Sequence, residues 1–205
     1  MPARSRAVPF VMALSLVVPG ATVQARAGVL HGAVQGAAQG AAQGQARTDT
    51  VRFPRVEGAN LEKRRFTLPA DFEADWNVVL VAFRREQQAD VDTWTPHLAD
   101  LLRGRPDVST YEVPTLTRAY RWMRPMIDGG MRSGIPDRAV REHTITLYID
   151  KTPFKRALGI DDEEHIRAFL VRRDGAVRWS AVGRWTPEAG ESLRDALDAL
   201  AASSP

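Results

Sequence analysis

Residues 78–83, Val-Val-Leu-Val-Ala-Phe, form an apolar run without a break. A strand with one wet face alternates apolar and polar residues. A run without alternation is buried on both faces, as in a central strand of parallel type. A charged corner follows at once, Arg84-Arg85-Glu86, and then an amphipathic helix. Trp94, Leu98, Leu101 and Leu102 fall on one apolar stripe, Asp92 or Thr93 is placed to cap its start, and Gly104 to stop it. Pro96 lies inside that helix. A doubly buried strand feeding directly into a helix points to an α/β domain.

The rest of the chain extends the pattern. Residues 53–72 are short strand-like pieces separated by turn residues, and read as a β-hairpin on the edge of a sheet. Residues 108–116 read as a second strand. Residues 117–126 read as a short helix ended by Pro125, 127–138 as a glycine-rich loop, and the alternating segment 144–150 as a further strand. Residues 166–183 are two strands around Asp174-Gly175, a strong hairpin signal. Thr186 then caps a terminal helix with Pro187 in its first turn, Glu188 at the positive end of the dipole, and Leu193, Leu197 and Leu200 on its core face.

The ends differ in character. Arg4 and Arg6 precede a short apolar stretch, 7–18, which stops at Pro19-Gly20. Small residues then lead up to Ala25 and Ala27. This is the form of a cleaved signal peptide over 1–27, since the apolar stretch is well short of the roughly 20 residues a spanning helix needs. The alternative is a retained anchor. Residues 28–50 repeat a Gly-Ala-x-Gln unit without large side chains and read as a flexible linker. The domain is expected over 51–205, in a periplasmic or secreted protein. Arg4, Arg6 and Arg26 account for the whole formal net charge of +3. The basic balance therefore belongs to the leader and gives no nucleic-acid reading.

The chain contains no cysteine. That excludes a thiol nucleophile, a disulfide and lipid attachment through a thiol. His97, His143 and His165 lack short metal-ligand spacing, and no Gly-x-Ser-x-Gly elbow occurs. No catalytic residue, metal site or cofactor is expected. The carboxylates of 161–165 read as a solvated loop or helix start.

The order of strand, polar corner, proline-containing helix, strand, helix, hairpin and terminal helix resembles the thioredoxin-like superfamily. The resemblance implies a central mixed sheet flanked by helices, here with an N-terminal β-hairpin. In redox-active members a proline in this helix lies five residues beyond the second cysteine of the active pair. Counting back from Pro96 puts Val91 in the second position and Gln88 in the first. The superfamily also carries a proline just before the last hairpin, where this chain has His165-Ile166. The resemblance thus implies the fold without thiol–disulfide chemistry.

A narrower resemblance lies in Val177-Arg178-Trp179, Gly183 and Glu188, which match the C-terminal signature of the mitochondrial ATP synthase assembly-factor family. It implies a non-catalytic protein-binding or assembly role toward a partner associated with a membrane complex. Arg178, Trp179, Gly183 and Trp185 on the final hairpin, with Arg118, Arg121 and Trp122 on the short helix, are the candidate partner-binding residues, because Arg and Trp are favoured at interface hot spots. Packing of Trp179 on the terminal helix is the competing reading. A cysteine-free peroxidase-like enzyme, or a small-ligand module at the corner of Arg84, Arg85 and Glu86, is the alternative function. Open α/β sheets bind ligands at such strand ends.

Overall fold

The computed structural model describes residues 51–202. The expected signal peptide, 1–27, and linker, 28–50, lie outside the described residues. Seven strands form one mixed sheet in the order β2-β1-β5-β4-β3-β6-β7. The apolar run is β3 (Trp76–Ala82), whose five middle residues are all buried. It pairs in parallel with β4 (Val108–Thr117) and antiparallel with β6 (Arg167–Arg172). Val79 and Val81 point into one core with Phe53, Phe72, Tyr111 and Phe154. Val78 and Leu80 point into the other, with Trp94, Leu98, Trp179 and Leu193.

The N-terminal hairpin is β1 (Val56–Asn60) and β2 (Arg65–Leu68), and β2 is an edge strand as expected. β5 (Ile145–Ile149) lies between β1 and β4, so it is buried along most of its length rather than alternating. The last hairpin is β6 and β7 (Val177–Val182). Gly175 supplies the positive φ of +93° its turn requires.

The helices depart further from the sequence reading. α1 (Gln88–Leu101) starts before Asp92 and Thr93, out of a 3-10 turn at Arg85–Gln87. Thr93 is therefore inside the helix, where its hydroxyl donates to the Asp90 carbonyl. Pro125 does not end a helix but opens one, α2 (Arg124–Gly134), where its fixed φ is favourable. The segment 127–138 is thus largely helical despite its glycines. Contacts distant in sequence stabilise it: Asp128 accepts from the Tyr148 hydroxyl at 2.8 Å, and Arg132 donates to the Leu61 carbonyl at 2.8 Å. α3 (Arg138–His143) and α4 (Lys151–Leu158) follow, each capped by an aspartate that accepts from a backbone N–H, Asp137 from Ala139 and Asp150 from Thr152. α5 (Pro187–Ala202) begins as expected, with the Thr186 hydroxyl accepting from Ala189 N at 3.2 Å. α1 and α5 supply residues to the core of Trp94 and Trp179, and α4 supplies Phe154 and Leu158 to the other.

Candidate functional site

The corner after β3 is closed by a residue the sequence reading passed over. Gln87 is buried. Its Oε1 accepts from Phe83 N at 2.8 Å and Arg84 N at 3.2 Å, and its Nε2 donates to the Glu163 carbonyl at 2.8 Å. One amide side chain thereby satisfies the backbone at the end of the strand and ties the corner to the loop before β6. The available signal was a glutamine three residues after Arg84, from which a capping side chain reaches back.

Ion pairs finish this rim. Arg84 forks onto Glu164 at 2.6 and 3.1 Å, and Glu163 receives Lys151 at 2.6 Å and Lys155 at 3.0 Å. Burial pushes the Glu163 carboxyl up, but the two lysines outweigh it and hold the group below its ordinary range. The Arg84–Glu164 pair is exposed on both sides and contributes little to stability. Glu86, part of the corner proposed from sequence, is exposed.

Of the two positions expected from sequence to stand in place of a redox pair, Gln88 opens α1 and Val91 is buried in the core. Gln88 Nε2 donates to Asp92 at 3.0 Å, and Gln88 also reaches Glu112 on β4. Glu112 is half-buried at the surface, yet protein walls in its carboxyl. Burial, with the negative charge of Asp92, pushes its pKa up to about 7 against the opposing hydrogen bond of Gln88.

A raised carboxyl favours the folded state when protonated. Its contribution is full below the ordinary value near 4.5 and is lost as pH rises through about 7. Glu112→Gln should therefore raise stability at pH 8 by about 1–2 kcal/mol and leave it nearly unchanged at pH 4.5, after discounting for residual solvent. Denaturant titrations of both proteins at the two pH values check this. A constant offset between them would mean that Glu112 does not titrate in this range.

On the final hairpin Trp179 packs against the terminal helix, as the competing reading has it. Side chains alternate along β7. Trp179 and Ala181 enter the core under the helices, while Arg178 and Ser180 are half-exposed and Val182 exposed. Trp179 is 0% exposed and donates from Nε1 to Ser192 Oγ at 3.0 Å. It is a fold residue and presents nothing to a partner. Gly183 is also buried, with a φ of +83°, and its carbonyl accepts from Trp94 Nε1 at 3.0 Å. Trp185 is half-buried, stacked on His97 at 4.6 Å with its edge geometry to Trp94 at 5.0 Å. The Trp185 backbone N–H donates to Thr93 Oγ1 at 2.9 Å. The motif from Val177 to Trp185 thus joins α1, β7 and α5.

Arg118, Arg121 and Trp122 are exposed, in a 3-10 turn at Arg118–Met123 that follows β4. They do not form one site with Arg178, because β3 and β6 separate β4 from β7. Among the described residues, no group of three His, Cys, Asp or Glu is placed to hold a metal, and no helix is long and apolar enough to cross a membrane.

No protein-family model matches the sequence, and no curated protein matches it. Solved structures do match. BsSco, a member of the Sco family of cytochrome c oxidase assembly proteins, has a TM-score of 0.50 at 12% identity, over 76% of this chain and 96% of its own. The fold is thioredoxin-like. The thioredoxin domain of a thiol-disulfide oxidoreductase from Bacteroides vulgatus has a TM-score of 0.48 at 15% identity, over 73% of this chain and 97% of its own. A DsbF homologue from Corynebacterium diphtheriae has 0.46 at 16%, over 82% and 99%. Identities this low speak for the fold alone.

Proposed function

We propose that this chain is an exported, non-catalytic thioredoxin-like protein that binds a protein partner and serves the assembly of a membrane complex. The observation that carries this reading is the filled corner. In a chain without cysteine, Gln88 and Val91 stand at the positions that the resemblance assigns to a redox pair, and the polar atoms of Gln87 and Glu163 are committed to internal bonds. That arrangement leaves an enzyme or small-ligand module little to use there. Export is supported by the form of residues 1–27. The assembly role rests on the sequence likeness of the 177–188 motif to the mitochondrial ATP synthase assembly-factor family, which no family model carries. It also has a precedent on this scaffold in BsSco, whose family assembles cytochrome c oxidase.

The partner surface proposed on the final hairpin narrows to the outward side of β7. β7 is the last strand of the sheet. Residues 51–53 cover its start, through Val177 N donating to Val51 O at 3.3 Å and a bridge between Arg52 and Ala176. Beyond that cover, Arg178 is half-exposed and Val182 is 41% exposed. An extended partner segment would add along such an edge. The double variant Arg178→Ala/Val182→Glu should melt within about 1 kcal/mol of wild type. It should capture its partner from envelope extract about tenfold more weakly, as loss of a hot spot predicts. Quantitative cross-linking with mass spectrometry reads both proteins. Identical capture profiles would remove β7 as the partner surface.

A further inference from the structure

Arg118, Arg121 and Trp122 belong to a surface distinct from β7. Trp122 is 79% exposed, Met126 64% and Tyr120 47%. No residue of the 3-10 turn Arg118–Met123 or of α2 is buried. Trp122 and Met126 are four residues apart across the junction of turn and helix, and the exposed Pro125 lies between them. Each of the three large side chains is open to solvent.

The same segment is locally cationic in a domain that has no net formal charge. From Val113 to Ile127 there is no acidic residue, while Arg118, Arg121 and Arg124 all fall within it. Arg124 is held by Asp128 at 3.0 Å. Arg118 and Arg121 are exposed and have no ion-pair partner among the described residues. The inner side of α2 is fixed to the body by the Asp128–Tyr148 and Arg132–Leu61 hydrogen bonds. The apolar ridge is therefore presented on an anchored element, at no ordering cost to a binding partner.

We infer that the ridge of Tyr120, Trp122 and Met126 docks on the surface of an anionic lipid bilayer, with the Arg118 and Arg121 guanidinium groups on lipid phosphates. Trp and Tyr favour the headgroup level, where the ring is buried and the polar tip stays wet. Short amphipathic elements bind there by apolar area and by attraction to anionic headgroups. The docking goes beyond the partner proposed at β7 and does not depend on it. It would hold the domain flat on a membrane that no described helix crosses.

Vesicle sedimentation of the full chain tests this, with variants that differ only in the ridge, so that any contribution of residues 1–50 is common to all. Vesicles are phosphatidylcholine alone, or phosphatidylcholine with about one quarter phosphatidylglycerol. Wild type should partition onto the anionic vesicles and be released as salt shortens the screening length. Arg118→Ala/Arg121→Ala should weaken that binding by about 30-fold, since each surface arginine is worth about fivefold. Trp122→Ala/Met126→Ser should weaken it at least about tenfold, and Trp122→Phe should retain most of it. Melting curves of all variants should coincide. Equal binding to both vesicle types would overturn the inference, as would ridge variants that bind like wild type. Loss of a captured protein from the ridge variants, with no vesicle binding by wild type, would give the ridge to a protein partner instead.

Discussion

Trp94→Ala should destabilise the domain by about 3–5 kcal/mol, more than any other single change considered. Trp94 is fully buried on α1, and its ring meets Trp179 at 6.1 Å and Trp185 at 5.0 Å, both edge to face. Its Nε1 donates to the Gly183 carbonyl at 3.0 Å, at the residue where β7 gives way to the turn before α5. Truncation removes the largest side chain between α1 and the last hairpin and leaves that buried carbonyl without its donor. The first loss costs transfer and cavity energy, and the second a further desolvation of about 1–3 kcal/mol already partly contained in the range above. For a domain near 150 residues this lowers the melting temperature by roughly 10 °C or more. Trp94→Phe separates the two contributions, because it keeps an aromatic ring and deletes only the donor and part of the volume. It should cost about 1–2 kcal/mol. Calorimetry of the three proteins is the measurement. If Trp94→Ala melts within about 1 kcal/mol of wild type, the tryptophan cluster does not join α1 to the hairpin.

This cluster also explains what was legible in the sequence. Val78–Phe83, the Asp174-Gly175 turn and the Thr186-Pro187 start of α5 are local signals, and each marks an element that local chemistry determines. The alternation of β7 was legible too. Trp179 is flanked by Arg178 and Ser180, so a period of two already directs it inward with Ala181. Two successive strand residues face opposite sides, so Arg178 and Trp179 cannot share one surface.

The failures have a different origin. α2 carries three glycines and acquires its stability from Tyr148 and Leu61, which are distant in the chain. α4 has only Phe154 and Leu158 to mark its buried face, so its periodicity is brief, although Asp150 and Gly159 cap both ends. Gln87 resembles an ordinary polar residue until Glu163 is placed against it. Gln88, Val91 and Pro96 all lie in α1, so the spacing counted back from the proline runs along one helix.

Gly190 supplies the second large effect, and its sign depends on a neighbour. Glycine inside a helix ordinarily costs about 0.5–1 kcal/mol relative to alanine, so Gly190→Ala in α5 should be stabilising on propensity alone. A Cβ at this position would lie 2.3 Å from Trp185 Cζ2 and 2.6 Å from Cη2. The indole has little freedom to retreat, being stacked on His97, set against Trp94 and held at its backbone N–H by Thr93. Overpacking of this kind costs about 1–3 kcal/mol, which exceeds the propensity gain. Gly190→Ala should therefore destabilise the wild-type protein by about 1–2 kcal/mol. In a Trp185→Ala background the obstructing ring is gone, and the same substitution should stabilise by about 0.5–1 kcal/mol. The coupling between the two sites should then be about 1.5–3 kcal/mol, within the range seen for residues in direct contact. Denaturant titration of the four proteins closes the cycle. Stabilisation by Gly190→Ala in both backgrounds would mean that the indole moves aside freely, and that α5 approaches the hairpin without needing glycine at this turn. Inversion of the sign would tie the glycine to Trp185, and through it to the packing of α1, the last hairpin and α5.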